Sequence, residues 1–74
     1  MFPSLNSIKP RRQAVGITQR RLAELAVTTQ SYMNKIERGR AIPNYVLAGR
    51  IFQALEKEEH RGEKTVREVM HSPV

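Results

Sequence analysis

Apolar residues recur along most of the chain at intervals of three and four rather than two, and glycine and proline cut that pattern into short segments. The breaks are Pro10, Gly16, Gly39, Pro43, Gly49 and Gly62. No alternating run between them is long enough for a strand, so the fold class read from the pattern is all-α. A first helix begins at Ser4 or Ser7 as N-cap and stops at Gly16. The Ser7 start is favoured, because it leaves Pro10 in the first turn, where a missing N–H does no harm. Thr18 caps a second helix over 19–26, with Leu22, Ala23, Leu25 and Ala26 on one face and Arg20, Arg21 and Glu24 on the other. Thr28 or Thr29 caps a third helix over 30–38, closed by Gly39 as the residue after the C-cap. After a loop containing Pro43, Asn44 caps a fourth helix reaching to about residue 56, whose apolar stripe is Tyr45, Ala48, Ile51, Phe52 and Leu55.

Residues 57–64 are charged or polar apart from Gly62 and read as a linker or a fraying helix end. With 74 residues there is room for one small domain, placed at 1–56. The absence of cysteine excludes a disulfide framework and a thiolate metal site, and His60 and His71 alone do not make a zinc site. No apolar run approaches the roughly 18 residues that span a membrane, and no signal peptide is visible, so a cytoplasmic location is expected. No cofactor is implied.

Charge adds direction to this picture. Residues 1–50 carry nine Lys+Arg against only Glu24 and Glu37, whereas residues 51–74 carry four bases and five acids. A basic body with a near-neutral tail suits a polyanionic partner for the body alone. The third helix sharpens the suggestion. Taking Gln30 as zero, Asn34, Arg38, Ser31 and Lys35 follow at about 40°, 80°, 100° and 140° around the helix axis. Two amides, a hydroxyl and two cations thus share one arc with no acid among them. Base edges and phosphates need that set: Gln and Asn bond adenine bidentately, Lys and Arg bond guanine, and Ser adapts. Arg20 and Arg21 occupy the first turn of the second helix, where the macrodipole disfavours cations unless an anion such as phosphate lies beside them.

Two short helices joined by a tight turn, the second with a polar face, form a helix-turn-helix. The run Ile17-Thr18-Gln19-Arg20-Arg21-Leu22-Ala23-Glu24-Leu25-Ala26, then Thr29-Gln30-Ser31-Tyr32-Met33-Asn34-Lys35-Ile36-Glu37-Arg38-Gly39-Arg40, then Pro43, resembles the phage repressor/Cro-type (XRE-type) family over about residues 8–55. The resemblance implies a compact all-α DNA-binding domain of four to five helices. Its helix-turn-helix would lie at helices two and three, with the third helix in the major groove of double-stranded DNA. It implies base reading by Gln30, Ser31, Asn34 and Lys35. Phosphate contacts fall to Thr18, Gln19, Arg20, Arg21, Thr29, Arg38, Arg40 and Asn44, with Gln19 also bracing Gln30. Glu37 resembles the family's partly buried acid, whose usual partner lies at the position of Arg12; Arg11 is then left to face solvent or phosphate. The chain departs from the pattern at Val27, where the family has glycine, and at Thr28, where it has an apolar residue. A β-branched residue fits a positive φ badly, which points to a recast turn.

A sequence-specific DNA-binding module of a transcriptional regulator is the function implied. The same fold also serves adaptors that bind protein or RNA, but those have no need of Gln30, Asn34 and Lys35 on one arc. Enzymatic activity is not expected, since no paired carboxylates, glycine-rich phosphate loop or acid-partnered histidine is present. Beyond the charged segment, Val66-Arg67-Glu68-Val69-Met70-His71-Ser72-Pro73-Val74 resembles the opening of a CBS domain, which assigns 65–74 to the start of a second domain. That arrangement resembles archaeal helix-turn-helix/CBS-domain regulators and implies a homodimer of the full-length protein through a C-terminal region missing from this chain. The competing reading makes 65–74 a fifth helix folded back on the body.

Overall fold

Side-chain oxygens set the helix starts. In the computed structural model, which describes residues 4–61 with their side chains and carries the last helix on to His71, Ser4 opens a 3-10 turn at Leu5–Ser7 by accepting the Asn6 N–H at 3.2 Å. Helix α1, Ile8–Val15, follows directly. Ser7 gives α1 no side-chain cap; its hydroxyl instead donates back to the Ser4 carbonyl at 2.6 Å. Pro10 lies in the first turn of α1, where it costs no helical hydrogen bond. Thr18 accepts the Arg21 N–H at 3.0 Å and begins α2, Gln19–Leu25. Thr29, not Thr28, accepts the Tyr32 N–H at 3.1 Å and begins α3, Gln30–Glu37. Asn44 accepts the Leu47 N–H at 2.8 Å at the head of α4, Tyr45–His71.

The helix ends share one device. At Gly16 and Gly39, φ values of 78° and 77° turn the chain left-handed. Val27 does the same with φ 60°, the one described non-glycine residue with positive φ. Its N–H bonds the Glu24 carbonyl and the Thr28 N–H bonds the Ala23 carbonyl, at 3.1 and 2.9 Å. This is the same double closure that Gly39 and Arg40 make on Ile36 and Lys35. The turn is therefore kept rather than recast: the hydrogen bonds hold valine where glycine would sit unstrained.

Ile8, Leu22, Met33, Ile36, Ile51 and Leu55 are the large, fully buried side chains, joined by Ala23, Ala26, Leu47, Phe52 and Ala54. The first half of α4 serves as the spine against which α1 and α2 pack, and α3 packs on α2. No strand occurs among the described residues, and none of their helices is long and apolar enough to cross a membrane.

Three expectations are corrected here. Tyr45 is 80% exposed and is no part of the core stripe, which runs instead through Leu47, Ala48, Ile51, Phe52, Ala54 and Leu55. Tyr45 belongs to the first turn, before α4 meets the body. The fourth helix does not stop near residue 56. Glu, Lys and Arg are good helix formers and no proline interrupts them before Pro73, so composition that reads as linker also supports helix. Glu58 and Arg61 pair one turn apart at 3.1 Å. Arg11, finally, does not face open solvent or an awaited phosphate. Its Nε and Nη2 each donate to Glu59 at 2.7 Å, and its guanidinium carbon stands 5.7 Å from the Phe52 ring centroid. The bidentate bond holds the Glu59 carboxyl below its ordinary range and raises Arg11. Of the tail that resembles a CBS opening, 65–74, only the backbone of 65–71 is described, as the continuation of α4; residues 72–74 lie outside the described residues.

Candidate nucleic-acid interface

The α2–α3 pair and the residues just after it carry a polar surface. Gln19, Gln30, Ser31, Asn34, Lys35, Arg38 and Arg40 line one open concavity of about 590 Å³. Gln30, Ser31, Lys35, Arg38 and Arg40 are exposed, while Gln19 and Asn34 are half-buried at its floor. Among the described residues no carboxylate comes within ion-pair distance of Lys35, Arg38 or Arg40. Three cations with no counter-ion among the described residues, beside three amides and a hydroxyl, make a surface that attracts an anion and can hydrogen-bond it.

The remaining expected residues lie outside that lining and are divided by role. Thr18, Thr29 and Asn44 spend an oxygen each on helix caps, which leaves the two hydroxyl protons as donors at the starts of α2 and α3. Arg20 and Arg21 both lean on Glu24, at 3.6 and 3.4 Å, with more than half of each side chain in solvent. Such exposed pairs open readily.

Behind the concavity lies a hydrogen-bonded chain. Arg12 donates from Nε and Nη2 to the two oxygens of Glu37 at 2.9 and 3.1 Å, and from Nη1 to the Ile17 carbonyl at 3.1 Å. The Glu37 side chain is 3% accessible and that of Arg12 12%. Gln19 donates Nε2 to Glu37 at 3.2 Å, and Asn34 donates Nδ2 to Gln19 Oε1 at 3.4 Å. Gln19 thus braces Asn34 rather than Gln30. Helix-wheel angles place Asn34 on the polar arc of α3, but no single-helix angle shows which of its neighbours Gln19 meets across the α2–α3 gap. That link had no signal in the sequence.

Two short helices joined through residues 26–29, the second displaying an acid-free polar face beside the turn, define a helix-turn-helix protein. The chain belongs to the helix-turn-helix family, whose pattern it matches over residues 8–60. It is similar to an uncharacterized HTH-type transcriptional regulator of Methanothermobacter thermautotrophicus (strain Delta H), with 39% identity over 51 residues, 69% of this chain and 74% of that protein. No solved structure matches it significantly.

Proposed function

We propose that this chain is a sequence-specific module for double-stranded DNA within a transcriptional regulator. The observation that carries the reading is the convergence of Gln19, Gln30, Ser31, Asn34, Lys35, Arg38 and Arg40 on one concave, acid-free surface. In this reading α3 enters the major groove, and Gln30, Ser31, Asn34 and Lys35 meet base edges. Arg20, Arg21, Arg38 and Arg40 neutralise phosphates, and the capped helix starts at Thr18, Thr29 and Asn44 add neutral donors. The family match and the regulator-like relative support it. The reading is one of recognition without catalysis. Two copies joined through a CBS-like C-terminal region would place two α3 helices on half-sites about one helical turn apart.

Selection from random duplex DNA tests the reading. The wild-type chain should enrich a defined site, and Gln30→Ala should cost about 1–3 kcal/mol on it and relax preference at one or two positions. Arg38→Ala should instead weaken all sequences alike. Recovery of no preferred site, or an unchanged preference profile in Gln30→Ala, would remove α3 as the reading helix.

A further inference from the structure

We infer that the buried Arg12–Glu37 ion pair, acting through Gln19, fixes which way the Asn34 amide points and so tunes the base pair at Asn34 toward adenine. The inference rests on the DNA-reading role proposed above and deepens it. It turns on polarity. A guanidinium only donates and a carboxylate only accepts, whereas the two ends of a glutamine or asparagine amide have nearly the same shape. Only partners decide an amide's orientation. Arg12 commits Glu37 to accept, at 2.9 and 3.1 Å, in a place where the carboxylate is 3% accessible. Gln19, 3.2 Å from Glu37, must therefore turn its NH2 group inward. Its Oε1 is then the atom that faces Asn34, and an acceptor there obliges Asn34 to turn Nδ2 toward it, at 3.4 Å.

What remains on Asn34 for a base is the carbonyl oxygen and the second N–H. The major-groove edge of adenine offers an N6 donor beside an N7 acceptor, which suits one acceptor and one donor. Guanine offers two acceptors, N7 and O6, and sets O6 against the Asn34 carbonyl. The orientation is supplied from a distance: Arg12 lies on α1, and neither it nor Glu37 lines the concavity. Gln19, Glu37 and Arg12 act on this preference as positioning residues, and Asn34 is the group that touches the base. None of the three would be chosen from the composition of α3 alone.

The relay makes a prediction about sign as well as size. Exchanging the pair, Arg12→Glu with Glu37→Arg, places a donor where the acceptor stood. Gln19 then turns its carbonyl to residue 37 and its NH2 to Asn34, which accepts through Oδ1 and presents its own NH2 to the base. That arrangement suits the two acceptors of guanine. Gln19→Met keeps an unbranched side chain of similar length but removes both bonds.

The experiment is selection from random duplex DNA with wild type, Asn34→Ala, Gln19→Met and the charge-exchanged double variant, together with NMR of the Asn34 side-chain amide in the unbound protein. Wild type should show one position of adenine preference that Asn34→Ala abolishes. In Gln19→Met the adenine-over-guanine ratio at that position should fall about tenfold, with the two Asn34 amide protons losing their distinct hydrogen-bonded and open character. The double variant should shift the position toward guanine. If it does not fold, Gln19→Met decides alone. An adenine preference that survives Gln19→Met, with unchanged Asn34 amide signals, overturns the relay while the DNA-reading role stands. A wild-type chain that selects no sequence overturns both.

Discussion

A single residue, Val27, shows how strongly the turn geometry is imposed. Its φ of 60° lies in the left-handed region, its side chain is 73% exposed, and no burial of that side chain offsets the strain. A β-branched residue in this region carries ~1–2 kcal/mol of steric cost, of which the greater unfolded-state freedom of glycine takes back ~0.5–1 kcal/mol. Val27→Gly should therefore stabilise the chain by up to ~1 kcal/mol, a rise of several degrees in Tm for a domain of this size. Thermal melts of the two proteins check it, and a Tm that falls would mean that Val27 makes a contact outweighing its strain. The same residue marks a limit of sequence reading. The misfit of valine with positive φ was legible, but its resolution was not. Whether a turn is recast or strained depends on how firmly the closing bonds from Val27 and Thr28 hold, and those belong to the packed helices.

At the scale of helices, the starts were the most legible feature and the surroundings the least. Thr18, Thr29 and Asn44 each precede an amphipathic run, so a local hydrogen bond places the cap whatever the rest of the molecule does. The facing of α4 was harder, because Tyr45 and Leu47 are both apolar and only contact with the body shows that Leu47 turns in. Least legible was the bond between Arg11 and Glu59, since residues 48 positions apart meet only once α1 lies along α4. That bond makes the extension of α4 sensitive to acid. Arg11 holds the Glu59 carboxyl below its ordinary range in the folded chain, and unfolding restores the usual value. The contribution of the pair is therefore complete above the ordinary carboxylate pKa of about 4.3 and fades as pH falls through the lower folded value. About a third of the Glu59 side chain is in solvent, so the effect is modest, up to ~1 kcal/mol. Hydrogen-exchange protection factors over residues 57–61 should drop between pH 7 and pH 3, and Glu59→Gln should show the lower protection at both. Equal protection of Glu59→Gln and wild type at pH 7 would show that the bond contributes nothing to holding α4.

For the molecule as a whole, the distribution of charge becomes a measurable property of binding. Nine of the thirteen basic residues lie in the first fifty positions against two acids. Of those two, Glu37 is neutralised internally by Arg12, and Glu24 is shared loosely between Arg20 and Arg21. Binding to DNA need only exchange Glu24 for a phosphate at Arg20 and Arg21. Because both pairs are wet and long, at 3.6 and 3.4 Å, that exchange costs little. Arg38 and Arg40 have no described carboxylate to give up. Four guanidinium groups are thus available to phosphates on each chain. Each phosphate neutralised contributes about −0.9 to the slope of log K against log salt, so the slope per bound chain should be about −3.6. Affinity should then fall about 10²-fold between roughly 50 and 200 mM salt. Fluorescence anisotropy on a labelled duplex over a KCl series measures this directly. The double variant Arg38→Ala/Arg40→Ala should bring the slope to about −1.8 on preferred and random duplexes alike, because a phosphate contact carries no sequence information. Asn34→Ala should leave the slope at its wild-type value while lowering affinity only for the preferred site. A slope near zero in the wild type, or one indifferent to the loss of Arg38 and Arg40, would place the phosphate contacts elsewhere on the molecule and take the α2–α3 surface out of the backbone-binding role.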